Sequence, residues 1–324
     1  MTSHTKKSGI LALSLLALII TLMIVMIPKA HWQAGHAFWS HGTYHPFWSI
    51  TVPRVLLALM AGLMLAVSGY VLQTTLKNPL ADSGILGVNA GASFGAVCAL
   101  LLPSWFGWSI STESALVSFS MLGGLLATLP ILVISQLAGT SLTLLTGVAM
   151  TAIIGALSSA LIFTIGQGKT DLALQWMAGG LYGRGWEQIG NLLPWFIATL
   201  IFVALVFVPL KWVRYDDSVL RGIGIKGPTL RMLLLVGTAL ITAPAVSAVG
   251  PIGFVGLVIP HMARMLTSNE PLRSLLTTML LGSVFLAGSD WLARTLLFPT
   301  EIPAGVITAL CGVPFFLFLL RRNS

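Results

Sequence analysis

The sequence predicts an all-α polytopic membrane protein, and three observations carry that reading. Of its 324 residues, 56% are hydrophobic and only 8% charged, with a mean hydropathy of +0.94, whereas soluble domains carry roughly 25% charged residues. About ten apolar runs are long enough for a helix to cross a hydrocarbon core of about 30 Å. The 17 Lys and Arg also collect on alternate loops, as the positive-inside rule requires of short connections. A water-soluble enzyme is excluded, because so few charges cannot cover the folded surface. Disorder is excluded because so apolar a chain buries ample surface.

The runs lie near residues 9 to 28, 53 to 73, 85 to 102, 114 to 135, 141 to 165, 189 to 210, 229 to 248, 250 to 266, 275 to 297 and 304 to 320. Charge, Gly or Pro bounds them. The first follows Lys6 and Lys7 but is longer than a signal-peptide core of about 7 to 15 residues and lacks a small-residue cleavage site, so it reads as a span. Only Val249, Gly250 and Pro251 separate the seventh from the eighth. A single broken helix there would give nine spans and opposite termini. Residues 1–324 are read as one transmembrane domain.

With ten spans, one side holds twelve of the 17 Lys and Arg and four of the nine carboxylates, and that side is the cytoplasm. Both termini are then cytoplasmic. The excess accounts for the whole formal charge of +8, so no nucleic-acid partner is needed to explain it. Cys98 and Cys311 lie inside apolar runs and read as small buried hydrophobes.

On the third span Gly87, Gly91 and Gly95 recur every fourth residue, baring one backbone face for a close neighbour or a pathway. No ionisable group falls at mid-membrane, the usual place for an ion relay. Asp290 and Arg294, at i and i+4 near the outer end of the ninth span, can neutralise each other. An ion-coupled secondary transporter is therefore the weaker alternative.

Two motifs imitate nucleotide sites. Gly166 to Thr170 (GQGKT) resembles the end of a phosphate-binding loop, but Phe163 stands where its first glycine belongs. Gly222, Gly224 and Gly227 (GIGIKG) mimic a dinucleotide fingerprint without the strand and helix that give it meaning. Residues 29–49 carry His31, His36, His41 and His45 among Trp, Tyr and Phe. This composition reads as an outer interfacial segment, and the histidine spacing fits no closed zinc pattern. Residues 211–228, KWVRYDDSVLRGIGIKGP, are the longest charged inner loop. A short helix there offers Val219, Leu220 and Ile223 as an apolar stripe for a soluble partner, with Asp217 at its positive end.

Five stretches extend this reading: VPRVLLALMAGLMLAVSGYVLQTTLKNPLADSGILGVNAGASFGA, QWMAGGLYGRGWEQ, GPIGFVGLVIPHMARML, GSDWLART and EIPAGVITALCGVPFFLFLLRR. From about Pro53 to Arg322 the chain resembles the permease subunit of the iron-siderophore and vitamin B12 class (FecCD-type) of bacterial ABC importers, with Asn78 to Ala81 and Gly253 to His261 its most specific motifs. The resemblance implies a type II importer permease fold of ten helices in the bacterial inner membrane, with a break before the eighth helix. It implies a second permease, the same or a sister chain, two cytoplasmic ATPases and an extracytoplasmic binding protein. It implies no catalytic or metal residue, and no cofactor of its own, since ATP is used by the partner.

The cargo implied is an iron-siderophore chelate, with haem or cobalamin as alternatives. The segment YDDSVLRGIG is similar to the family's coupling segment, which assigns ATPase coupling to Asp216, Asp217, Val219, Leu220, Arg221, Ile223 and Gly224. Ser218 stands where the family commonly has an acid. Arg54 and Arg294 match outer arginines that dock the binding protein, and Thr51 stands where a further arginine is common.

Overall fold

The computed structural model describes residues 47–107, 112–137, 140–166, 168–267, 270–297 and 300–323. The expected first span, 9 to 28, and the four histidines of residues 29–49 lie outside the described residues. The described chain is helical: α1 Val52–Thr75, α2 Val88–Phe106, α3 Thr112–Leu137, α4 Thr140–Ile165, α5 Thr170–Met177, α6 Trp186–Trp212, α7 Asp217–Gly222, α8 Gly227–Val249, α9 Val255–Leu266, α10 Pro271–Thr295 and α11 Ala304–Asn323. Six of these are long and apolar enough to cross a membrane, and α2, α9 and α11 are shorter apolar helices. Each agrees with a predicted run to within a few residues at each end, except that α9 begins at Val255 where the run was expected from residue 250. The short α5 and α7 lie in connections.

Helix α1 is the centre of the bundle. Its 24 residues, about 36 Å at 1.5 Å per residue, are buried on nearly every side, as expected of a helix apolar all round. Pro53 occupies its first turn, where no N–H is needed. Close approach depends on bare backbone. A Cβ on Gly62 would stand 2.3 Å from the Gly282 carbonyl oxygen of α10, and one on Gly69 would overlap the backbone of Gly256 in α9. Helices pack this closely in lipid because dispersion and hydrogen bonds, rather than water release, drive their association. Ser283 Oγ adds a 3.0 Å bond to the Leu59 carbonyl, and the Ser68 and Thr242 hydroxyls meet at 2.7 Å between α1 and α8.

The same device joins α2 to α3. Gly91 lies against Gly123 and Gly95 against Phe119, with no room for a side chain. Gly87 also faces α3, beside Ala127 and Ile131, but there a Cβ would meet them at ordinary contact distance. It takes φ +68° between a 3₁₀ turn, Ser83–Leu86, and the first residue of α2, a conformation open to glycine at little cost.

Apolar side chains on α4 and α6, among them Leu145, Phe163, Ile201 and Leu205, are exposed. In a chain of this composition those faces meet lipid or another membrane chain. Cys98 is buried as expected, but Cys311 is exposed on α11 beside Leu310 and Val313. The sequence pattern identified an apolar run there without indicating that this part of it faces outward.

The contested seventh and eighth runs are separate helices. Gly250 takes φ +78°, its amide closing α8 on the Val246 carbonyl at 2.7 Å. The chain then runs through residues 250–254 without helix, and Phe254 at φ +67° begins α9. At 12 residues, or about 18 Å, α9 is too short to span the bilayer alone. The extended piece before it is tolerated because protein surrounds it: the Val249 carbonyl accepts from Gly180 N, while Ile252 and Val255 are buried in the core.

Candidate functional site: a clamped surface helix and the charge clusters of α1

The charged loop of residues 211–228 folds into α7, six residues from Asp217 to Gly222. Its end is set by Gly224 at φ +77°. There the amide of Ile225 bonds the Leu220 carbonyl at 2.9 Å and that of Gly224 bonds Arg221 at 3.1 Å, the paired closure of a Schellman turn. The glycines that imitate a dinucleotide fingerprint thus serve the joint between α7 and α8. Gly227 is a second tight point, since a Cβ there would overlap the Asp217 carboxylate.

The expected apolar stripe divides. Leu220 is fully buried, whereas Val219 is 51% and Ile223 58% exposed, with Ser218, Arg221 and Gly222 exposed beside them. The two acids turn back to their own chain. Arg231 of α8 grips Asp217 with both terminal nitrogens. Lys77, just past α1, donates to Asp216 at 3.0 Å and to the Tyr215 carbonyl at 3.2 Å. Asp217, Asp216 and Leu220 therefore clamp α7 to the bundle, and Val219, Arg221 and Ile223 project from it. Sequence reasoning missed Lys77 and Arg231, for which proximity in the chain gave no signal.

Beside Lys77, α1 meets α9 through polar groups. Pro260 lacks the amide that would bond the Gly256 carbonyl. Gln73 Nε2 donates to that carbonyl and to Leu257 O, both at 3.1 Å, while Arg264 donates to Gln73 Oε1. Arg264 also lies over the Tyr70 ring, whose hydroxyl bonds the Pro271 carbonyl at 3.1 Å. Asp82 caps the 3₁₀ turn through Ser83 N at 2.7 Å and lies against Gly256. Burial pushes its carboxyl above the usual carboxylate range, only partly offset by the bonds from Ser83.

At the opposite end of α1, Arg54 is 5% exposed. Its Nε reaches both oxygens of Asp290 at 3.1 and 3.0 Å, its Nη2 bonds Asp290 Oδ1 at 2.8 Å, and its Nη1 pairs with Glu301 at 2.9 Å. Arg294 is the weaker partner of Asp290, with Nε at 3.4 Å and no hydrogen bond from Nε or Nη2. The i, i+4 pairing read from the sequence is thus secondary to one spanning 236 positions. Both arginines expected at an outer surface belong to one neutral group of two cations and two carboxylates.

The GQGKT lysine donates to the Leu100 carbonyl at 2.9 Å and Thr170 Oγ1 to Gly166 O at 2.9 Å, so these groups serve helix ends. His261 packs edge-on to Phe315. Among the described residues no three His, Cys, Asp or Glu side chains gather at metal-binding range.

The sequence profile of the FecCD transport family matches residues 10–322. The chain belongs to the FecCD transport family. Among similar FecCD relatives, the Fe(3+)-citrate import system permease protein YfmE of Bacillus subtilis is 31% identical, the alignment covering 100% of this chain and 98% of that protein. The Fe(3+) dicitrate transport system permease protein FecD of Escherichia coli is 35% identical over 90% and 88%. The cobalamin import system permease protein BtuC of Halobacterium salinarum is 36% identical over 85% and 73%. The fold resembles an inward-facing metal-chelate type ABC transporter, with TM-score 0.83, 27% identity and coverage of 97% and 99%.

Proposed function

We propose that this FecCD protein is the membrane permease of an ATP-driven importer that carries an iron-siderophore chelate across the bacterial inner membrane. The observation that carries the reading is α7: a short helix clamped on one side by Leu220 and two ion pairs, offering Val219, Arg221 and Ile223 on the other. Such a piece passes on a push only because it is fixed to the bundle. Two ATPases closing on ATP press on α7 of two permeases, and Lys77 and Arg231 pass the displacement to α1 and α8. In this reading the Lys77 end and both termini are cytoplasmic, and ten helices cross the membrane.

At the other face, Arg294 meets acidic residues of a binding protein that delivers the chelate, from a charge group that includes Arg54. Arg294, its side chain 17% exposed against 6% for Arg54, offers such a partner the larger surface. Arg54 holds its carboxylates in place. Association of this kind is steered by charge and weakens with salt.

Cobalamin is the second reading, favoured by the Halobacterium relative. Uptake of a radiolabelled ferric chelate should stop on ATP depletion and survive an uncoupler given to ATP-replete cells. Uptake with the reverse sensitivities would mean an ion-coupled carrier and overturn the proposal.

A further inference from the structure

The ends of four helices meet around Tyr70, which is buried in the last turns of α1. Arg264, in the last turn of α9, lies over its ring at 5.7 Å. Arg214, just past α6, donates to its hydroxyl at 3.4 Å, and the hydroxyl donates to the carbonyl of Pro271, the first residue of α10. Lys211, in the last turn of α6, stands over Phe207 at 4.3 Å. Lys211 and Arg214 are exposed.

These three cations have no counter-charge of their own. Arg264 donates to the neutral amide of Gln73. Among the described residues the carboxylates in ion pairs serve Arg54, Arg294, Lys77, Arg231 and Arg273, and none pairs with Lys211, Arg214 or Arg264. The sequence before residue 47 contains no Asp or Glu. Two guanidinium groups on one tyrosine repel each other, and an anion from outside the chain would remove that cost.

The neighbouring surface indicates which anion. Ile201, Leu205, Val208 and Trp212 are exposed, and their spacing of four, three and four puts them on one face of α6. The stripe ends at Trp212, with Lys211 beside it and Arg214 beyond. An apolar helix face that stops at a tryptophan and then turns basic marks the boundary between hydrocarbon and head groups.

We propose that Lys211, Arg214 and Arg264 bind the phosphate of an anionic phospholipid whose acyl chains lie along the exposed face of α6. Basic clusters at the ends of membrane helices take such head groups in general. An acidic segment of a protein partner would satisfy the cations but leave the apolar stripe uncovered, and inorganic phosphate would do the same. The site depends on the chain lying in a membrane and not on what it transports.

The test uses the purified full-length permease in nanodiscs of mixed phosphatidylcholine and phosphatidylglycerol, reading retained lipid by native mass spectrometry. Wild type should retain phosphatidylglycerol over phosphatidylcholine. Lys211→Gln with Arg214→Gln, both at exposed positions, should lower that preference about 25-fold, at about fivefold for each basic residue near an anionic surface, with the melting curve unchanged. Lys226→Gln removes an exposed charge at the start of α8, outside the cluster, and should leave the preference as in wild type.

An unchanged preference in the double variant would overturn the proposal. An equal loss in Lys226→Gln would also overturn it, because the preference would then come from diffuse surface charge. Equal retention of both lipids by wild type would overturn it and leave the cations to an acidic protein partner. Displacement of phosphatidylglycerol by millimolar inorganic phosphate would assign them to the free ion instead. No uptake is measured, so failure here is distinct from failure of the importer reading.

Discussion

Arg54→Gln is the sharpest perturbation of the fold. It removes three hydrogen bonds from Asp290, which is 0% exposed, and the 2.9 Å pair with Glu301. Asp290 keeps only Arg294, its Nε 3.4 Å away and out of hydrogen-bond alignment. Removing one partner of a buried ion pair costs about 3–5 kcal/mol, because the remaining charge stays desolvated. The expected loss is therefore about 3–5 kcal/mol of unfolding free energy, read by tryptophan fluorescence during SDS titration in mixed micelles. Adding Asp290→Asn should recover part of that loss, since the stranded charge is gone. Arg54→Lys should fall between, because an ammonium cannot make the bidentate contact. A loss below about 1 kcal/mol for Arg54→Gln, the value for an exposed pair, would refute the internal role of Arg54.

Gly62→Ala places a methyl 2.3 Å from the Gly282 carbonyl and should cost about 1–3 kcal/mol of overpacking in the same titration; a neutral result would contradict the close α1–α10 contact. Val219→Glu with Ile223→Glu changes only exposed positions. It should leave the melting curve within about 0.5 kcal/mol while releasing the ATPase from purified complexes, and retained, transport-coupled ATPase would count against the role of α7. The folded protein holds a proton on Asp82 at pH values where the unfolded chain has lost it. That group's contribution to stability therefore falls as pH rises from the ordinary carboxylate range through its raised value. Asp82→Asn, which keeps the capping oxygen, should flatten that slope in a pH series of melting curves, and an unchanged slope would exclude Asp82 as its source.

Much of the fold was legible because lipid imposes a length on every helix. Runs of apolar residues bounded by Gly, Pro or charge matched α1 to α4, α6, α8, α10 and α11 to within a few residues, and Gly250 marked the turn between α8 and α9. Side-chain pairing was not legible. Arg54 and Asp290 are 236 positions apart, and nothing local distinguishes their contact from the i, i+4 pair that Asp290 also offers. That Asp216 and Asp217 pair with Lys77 and Arg231 of their own chain was not legible either, although Asp216 stays 85% exposed while doing so. The split of Val219 and Ile223 from Leu220 depends on how α7 rests against the bundle, which its six residues do not encode. In GQGKT, Lys169 bonds the Leu100 carbonyl, and in GIGIKG, Gly224 ends α7, roles that a motif's letters alone do not announce.

In the proposed importer this chain provides the path and a separate ATPase supplies the motion. Proteoliposomes should be prepared with the permease alone, and with its ATPase and binding protein, each with ATP inside and a ferric chelate outside. Accumulation above the external concentration is expected only in the complete set, with none after the ATPase is omitted. Uphill accumulation by the permease alone would contradict it.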